Sequence, residues 1–171
     1  GYPISIYYGD LLLYIPAVLR LIGFPVVAAY KIYVILIHTG TVIISYFCFK
    51  KLFNNTGTAC MVTLAYVTAG YRFVDVYVRA AVGEYSAMMF LPLIALAFYR
   101  IYTQEDAGWK QIGKNALLLA SGMTGLIGTH ILSTQMIVFV LALICILLWK
   151  RTFQKHTLCT FILAVCETLA L

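Results

Sequence analysis

Ionisable side chains are scarce in this sequence, and the places where they gather are the first indication of chemistry. Residues 71–84 carry Arg72, Asp75, Arg79 and Glu84 within a run that is otherwise mostly apolar or aromatic. On a regular helix Arg72, Asp75 and Arg79 fall on one face at i, i+3 and i+7, with Asp75 and Arg79 as an i, i+4 ion pair. Glu84 then falls elsewhere, beyond Gly83. Two outward-facing arginines suit a phosphate or diphosphate, because each planar guanidinium engages two oxygens at once. Asp75 or Glu84 has three roles open to it: orienting an arginine, holding a divalent metal, or taking a proton from a sugar hydroxyl. The same set also reads as interfacial charges that snorkel and pair with one another.

A second group, Thr129, His130 and Ser133, offers a histidine as base, phosphate partner or ligand, or else hydrogen bonding between helices. Asp10, following Tyr7 and Tyr8, reads either as a helix cap or as the base or metal ligand of a lipid-linked reaction just above a membrane. His38, alone in an apolar run, is expected to satisfy a neighbouring helix, and His156 needs no role. The five cysteines show no CxxC spacing and read as buried, inert thiols. No GxxxxGK[ST], HExxH or GxSxG pattern is present, so soluble nucleotide-driven chemistry has no support.

The elements that must position these residues follow from composition. Of 171 residues 63% are hydrophobic and 11% charged, with a mean hydropathy of +0.95. A water-soluble monomer of this length needs a polar exterior that so few charges cannot supply. The net charge of +6 does not point to nucleic acid, because the basic residues punctuate apolar runs and form no stripe. They fit membrane topology. The sequence predicts an all-α, polytopic transmembrane helical bundle in the cell membrane, with spans at about 25–49, 56–71, 81–99, 116–129, 133–149 and a truncated 157–171. Residues 1–24 form an external loop and an interfacial helix in which Leu11, Leu12, Ile15, Leu19 and Ile22 recur near helical spacing. Pro92 is expected to kink the third span, and Gly122, Gly125 and Gly128 to let helices approach closely. The chain begins at Gly1 and stops inside an apolar run, as an excerpt of a longer membrane protein would. Lys50, Lys51, Arg100, Lys110, Lys114, Lys150, Arg151 and Lys155 share one set of connections, against Arg20, Lys31, Arg72 and Arg79 in the other. The first set is therefore expected on the cytoplasmic side and the candidate residues outside.

Several stretches together resemble a known family: Gly1-Tyr2-Pro3 with Tyr7-Tyr8-Gly9-Asp10, the run Tyr77-Val78-Arg79-Ala80-Ala81-Val82-Gly83-Glu84, Phe90-Leu91-Pro92-Leu93, and Thr129-His130. The chain resembles the multi-spanning bacterial membrane proteins labelled 6-pyruvoyl-tetrahydropterin synthase-related, close to the YfhO-like proteins, over most of its length. The label implies no pterin chemistry, since His38, His130 and His156 lie at different depths and faces. The resemblance implies the GT-C architecture of membrane glycosyltransferases, which take a sugar from a polyprenyl-phosphate carrier on the outer face. An acidic residue in the first external loop usually serves there as catalytic base or metal ligand, which makes Asp10 a positional candidate and leaves a divalent metal as the cofactor in question. On this expectation Arg72 and Arg79 hold the donor phosphate, Asp10 or Glu84 acts as base, and His130 with Ser133 assists. The rival expectations are a transporter or lipid-carrier flippase and a noncatalytic membrane subunit.

Overall fold

The computed structural model describes residues 9–104 and 108–171. The opening motif through Tyr8, and with it most of the expected external loop, lies outside the described residues. Among the described residues the chain is all helical, with no strand. A 3-10 turn, Leu11–Leu13, leads into α1 (Tyr14–Leu21) and then α2 (Val26–Phe53), α3 (Thr56–Val67) and α4 (Gly70–Phe73), which runs on into a π-helical turn at Val74–Val78. Then come α5 (Val82–Ala87), α6 (Leu91–Thr103), α7 (Trp109–Ile127), α8 (Ile131–Leu147), α9 (Trp149–Thr152) and α10 (Lys155–Ala170). Two stretches, Val26–Phe53 and Val82–Thr103, are long and apolar enough to cross a membrane.

The longest helix shows how sequence sets the architecture. Ala29, Tyr33, Ile37, Thr41, Ser45 and Cys48 of α2 are buried, and their spacing of three or four residues makes one continuous stripe. Ile35, Ile43 and Phe47 point away and are exposed. α2 ends at Asn54, whose left-handed backbone (φ 52°) returns its N–H to the Lys50 carbonyl, a C-terminal stop that asparagine tolerates. Asn55 then caps α3 by accepting from the Thr58 N–H at 3.0 Å. α2 packs against α3 and α6, while α7 packs against α6 and α10.

Boundaries differ from the sequence reading where hydrogen bonding overrides hydropathy. The helix of the expected second span ends at Val67, and after a break at Thr68 and Ala69 helical structure resumes through α4 and the π turn to Val78. The third is interrupted at residues 88–90, and Pro92 does not kink it, because it lies in the first turn of α6 where its missing N–H has no intrahelical partner. α7 starts at Trp109, well before the expected Ala116. Its polar first turns are held by Gln111 donating to Asn115, and Asn115 to Gln104. Pro16 likewise falls in the first turn of its helix, α1.

The glycines of α7 are packing positions. A Cβ at Gly122 would stand 2.7 Å from the Ile94 side chain, and one at Gly125 only 2.3 Å from the Phe90 ring. Gly113 in the same helix faces open space. Gly125→Ala is therefore expected to cost about 1–3 kcal/mol through overpacking. Gly113→Ala, with nothing to meet, is expected to stabilise by up to about 1 kcal/mol. Unfolding of both variants in mixed micelles checks the pair.

Candidate functional site

The densest polar group lies where the π turn reverses into α5. Arg79 follows the turn, and its N–H reaches the Val74 carbonyl at 2.8 Å, an i to i−5 bond that widens the winding. The next residue, Ala80, has φ 49°, a left-handed conformation that costs a residue with a Cβ roughly 1–2 kcal/mol. Ala81 then donates to the Asp75 carbonyl at 2.9 Å, closing the reversal.

This turn assembles a charged cluster. Arg79 Nη1 lies 2.8 Å from Asp75 Oδ1 and 3.1 Å from Glu84 Oε2. The Tyr71 hydroxyl donates to Glu84 Oε1, and Arg79 Nη1 approaches the Tyr71 oxygen at 3.4 Å. The Asp75 side chain is fully buried, whereas that of Arg79 is 50% exposed. Asp75 Oδ2 has no hydrogen-bond partner. Burial first, and then the nearby Glu84 carboxylate, push the Asp75 carboxyl above its ordinary range against the pull of Arg79.

Two expectations for this segment are corrected. Glu84 is not remote from the set, because the left-handed turn at Ala80 folds α5 back over the π turn and brings its carboxylate to Arg79. Arg72 does not join Arg79 in an outward-facing pair. The segment is not a regular α-helix, and Arg72 turns inward at 3% exposure, donating to the Thr41 hydroxyl at 2.9 Å and the Tyr85 carbonyl at 3.1 Å. Tyr71, to which the sequence reading gave no role, is the additional member of the cluster, and no local spacing signals it because its partners Glu84 and Arg79 are brought to it by the reversal.

Across from Arg79 stands the turn between α7 and α8. His130 is the N-cap of α8: its Nδ1 accepts from the Ser133 N–H at 3.3 Å and lies 2.7 Å from Ser133 Oγ. With Nδ1 accepting, the ring proton belongs on Nε2. Burial holds the His130 pKa below the usual histidine value, even though Glu84 and Asp75 pull it upward. Ser133 thus fixes the tautomer. The Thr129 hydroxyl is committed to the Gly125 and Leu126 carbonyls.

Asp10 reaches the same region through its neighbours. Gly9 N–H donates to the Thr129 carbonyl and Leu11 N–H to that of Gly128. A Cβ on Gly9 would sit 2.2 Å from the Gly128 oxygen, so only glycine allows this crossing. The expectation that Asp10 caps the helix is corrected. Its backbone is itself helical (φ −95°, ψ −1°) and its side chain makes no capping bond, so its carboxylate is left exposed, next in sequence to the cleft-lining Gly9. Between the two walls lies a cleft of about 400 Å³, lined by Gly9, Leu12, Leu13, Arg79, residues 80–83 and Thr129.

Among the described residues no three His, Cys, Asp or Glu side chains come together as a metal centre. Asp75 and Glu84 each pair through one oxygen with Arg79, whose cation occupies the space between them. Among the described residues this donor set does not fit a divalent metal. His38 is also corrected: it is exposed and lines a separate cavity beside Arg72.

His130→Asn is expected to keep the cap and the stability of α8, whereas His130→Ala loses about 1 kcal/mol. The depressed folded-state pKa gives a sign. In wild type, stability is full above the unfolded histidine value of about 6.5 and declines as pH falls through it, because the unfolded ring takes up the proton first. Denaturation curves from pH 7.5 to 5 are expected to show this component in wild type and to lack it in H130N.

Comparison with protein-family models, with curated proteins and with solved structures gives no match to this chain.

Proposed function

We propose that the chain is part of a polytopic helical membrane protein that works as a GT-C-like glycosyltransferase, moving a sugar from a polyprenyl-phosphate donor to an acceptor hydroxyl at the outer face. The observation that carries this reading is the cleft wall formed by Arg79, held by Asp75 and Glu84, opposite the Asp10 loop and the His130 turn. The resemblance to the YfhO-like proteins supports the same class.

In this reading Arg79 binds the phosphate of the donor, since it is half exposed and lines the cleft. Glu84 accepts from Tyr71 and Arg79 and serves as their positioning residue. Asp10 is the better base, because its exposed carboxylate makes no such bond. It takes the proton of the acceptor hydroxyl as that oxygen attacks the anomeric carbon, and the sugar–phosphate bond breaks with its electron pair leaving on the phosphate. The buried His130 next to this wall keeps its proton on Nε2 and supports the phosphate side. Two carboxylates against one guanidinium leave the cluster net negative when all are ionised, so donor phosphate binds best while buried Asp75 retains its proton.

A second reading, a transporter or lipid-carrier flippase, is favoured by Arg72. It sits on an interrupted helix and bonds to Thr41, fifteen residues past the start of α2, about 22 Å along its axis. Charged groups at such depth on broken helices are a feature of transporters.

Full-length protein incubated with a labelled polyprenyl-phosphate sugar is expected to transfer the label, and Asp10→Asn to lower the rate by about 10²–10⁴-fold. Donor affinity is expected to fall as pH rises through the Asp75 titration, and Asp75→Asn to flatten that dependence. Substrate accumulation in sealed vesicles without transfer would favour the transporter reading.

A further inference from the structure

Among the described residues Arg72 makes no ion pair, and Asp75, whose carboxylate acts on it at longer range, is paired with Arg79. Arg72 Nη1 and Nη2 donate to a carbonyl and a hydroxyl, and its Nε–H has no partner. Neutral dipoles orient a buried guanidinium but do not cancel its charge, and a buried cation without an anion is strongly disfavoured. Beside it is a cavity of about 150 Å³, lined by Arg72 together with His38 and Thr39 from α2. This space is separate from the cleft at Arg79 and shares no lining residue with it.

We propose that this cavity is a binding site for a phosphate-type oxyanion, with Arg72 as its cationic floor and His38 and Thr39 as additional donors. The volume admits a group of a few heavy atoms, equivalent to roughly five waters at about 30 Å³ each. The rim is apolar and aromatic: Ile35, Phe73 and Tyr77 also line the cavity, and Ile35 and Tyr77 are 63% and 74% exposed. A cationic floor beneath an apolar rim matches a phosphate carried on an apolar body, as in a lipid headgroup. Free phosphate shares the floor but gains nothing from the rim. The site stands whether or not the chain transfers sugars.

The test uses the full chain in neutral maltoside micelles, titrated calorimetrically with dihexanoyl phosphatidic acid and, in a second arm, with inorganic phosphate. Saturable binding of phosphatidic acid is expected, weakened at least tenfold by Arg72→Gln and by Val76→Phe, which fills the cavity while leaving Arg72 in place, and several-fold by His38→Ala. Should R72Q fail to fold, V76F and H38A decide the matter. H38A alters an exposed side chain, so its fold is expected to survive. Equal affinity for inorganic phosphate, lost in the same variants, keeps the oxyanion site and assigns its source to the free ion. Absence of binding in both arms, or affinities unchanged in H38A and V76F, overturns the proposal.

Discussion

A single guanidinium joins the two helical arms around which the candidate site is built. Arg79 ties Asp75 on the π turn to Glu84 on α5, and the left-handed Ala80 beside it is tolerated because the ion pairs and the Ala81 bond fix the reversal from both sides. Without that tie Asp75 would be a fully buried carboxylate with no cation in contact, a situation that proteins resolve by protonation or by unfolding. The cleft wall, the position of Glu84 and the contact of Tyr71 all follow from the same reversal. The opposite wall depends on something different, the backbone-to-backbone crossing of Gly9 and Gly128, where any side chain on Gly9 would strike a carbonyl.

The polar groups therefore occupy two levels along α2. Arg79, Glu84 and the Asp10 loop stand near its first turns, where Tyr33 meets Tyr85 and bonds Ser86. Arg72, His38 and Thr41 stand near its middle. The first level has two carboxylates for one cation, whereas Arg72 makes no ion pair among the described residues, so the two levels differ in local charge. Neighbours in sequence have thus been separated into different chemical environments by one turn of unusual winding.

Much of the helical plan was legible in the sequence. The long apolar helix expected at 25–49, the Asp75–Arg79 pair and the close contacts at Gly122 and Gly125 each rest on local spacing or composition, which a sequence displays directly. What was not legible depends on backbone geometry that spacing assumes to be regular. A π turn at residues 74–78 carries Arg72 and Arg79 to different surroundings, and a positive φ at Ala80, a residue that rarely adopts it, brings in Glu84. Asp10 looked like a cap because aspartate before an apolar run usually is one, but a 3-10 start with a helical Asp10 leaves the carboxylate unable to serve. The early start of α7 was hidden because its bonded Gln111 and Asn115 have the composition of a loop.

The most direct measurement is a double-mutant cycle on unfolding in mixed micelles, comparing Arg79→Gln, Asp75→Asn and the double variant with wild type. If Arg79 exists to neutralise buried Asp75, R79Q alone is the most damaging change, and the double variant recovers much of the loss, with a coupling energy of about 1–3 kcal/mol. Additive effects, agreeing within about 0.5 kcal/mol, would mean that the two residues act independently and that the cluster does not hold the turn.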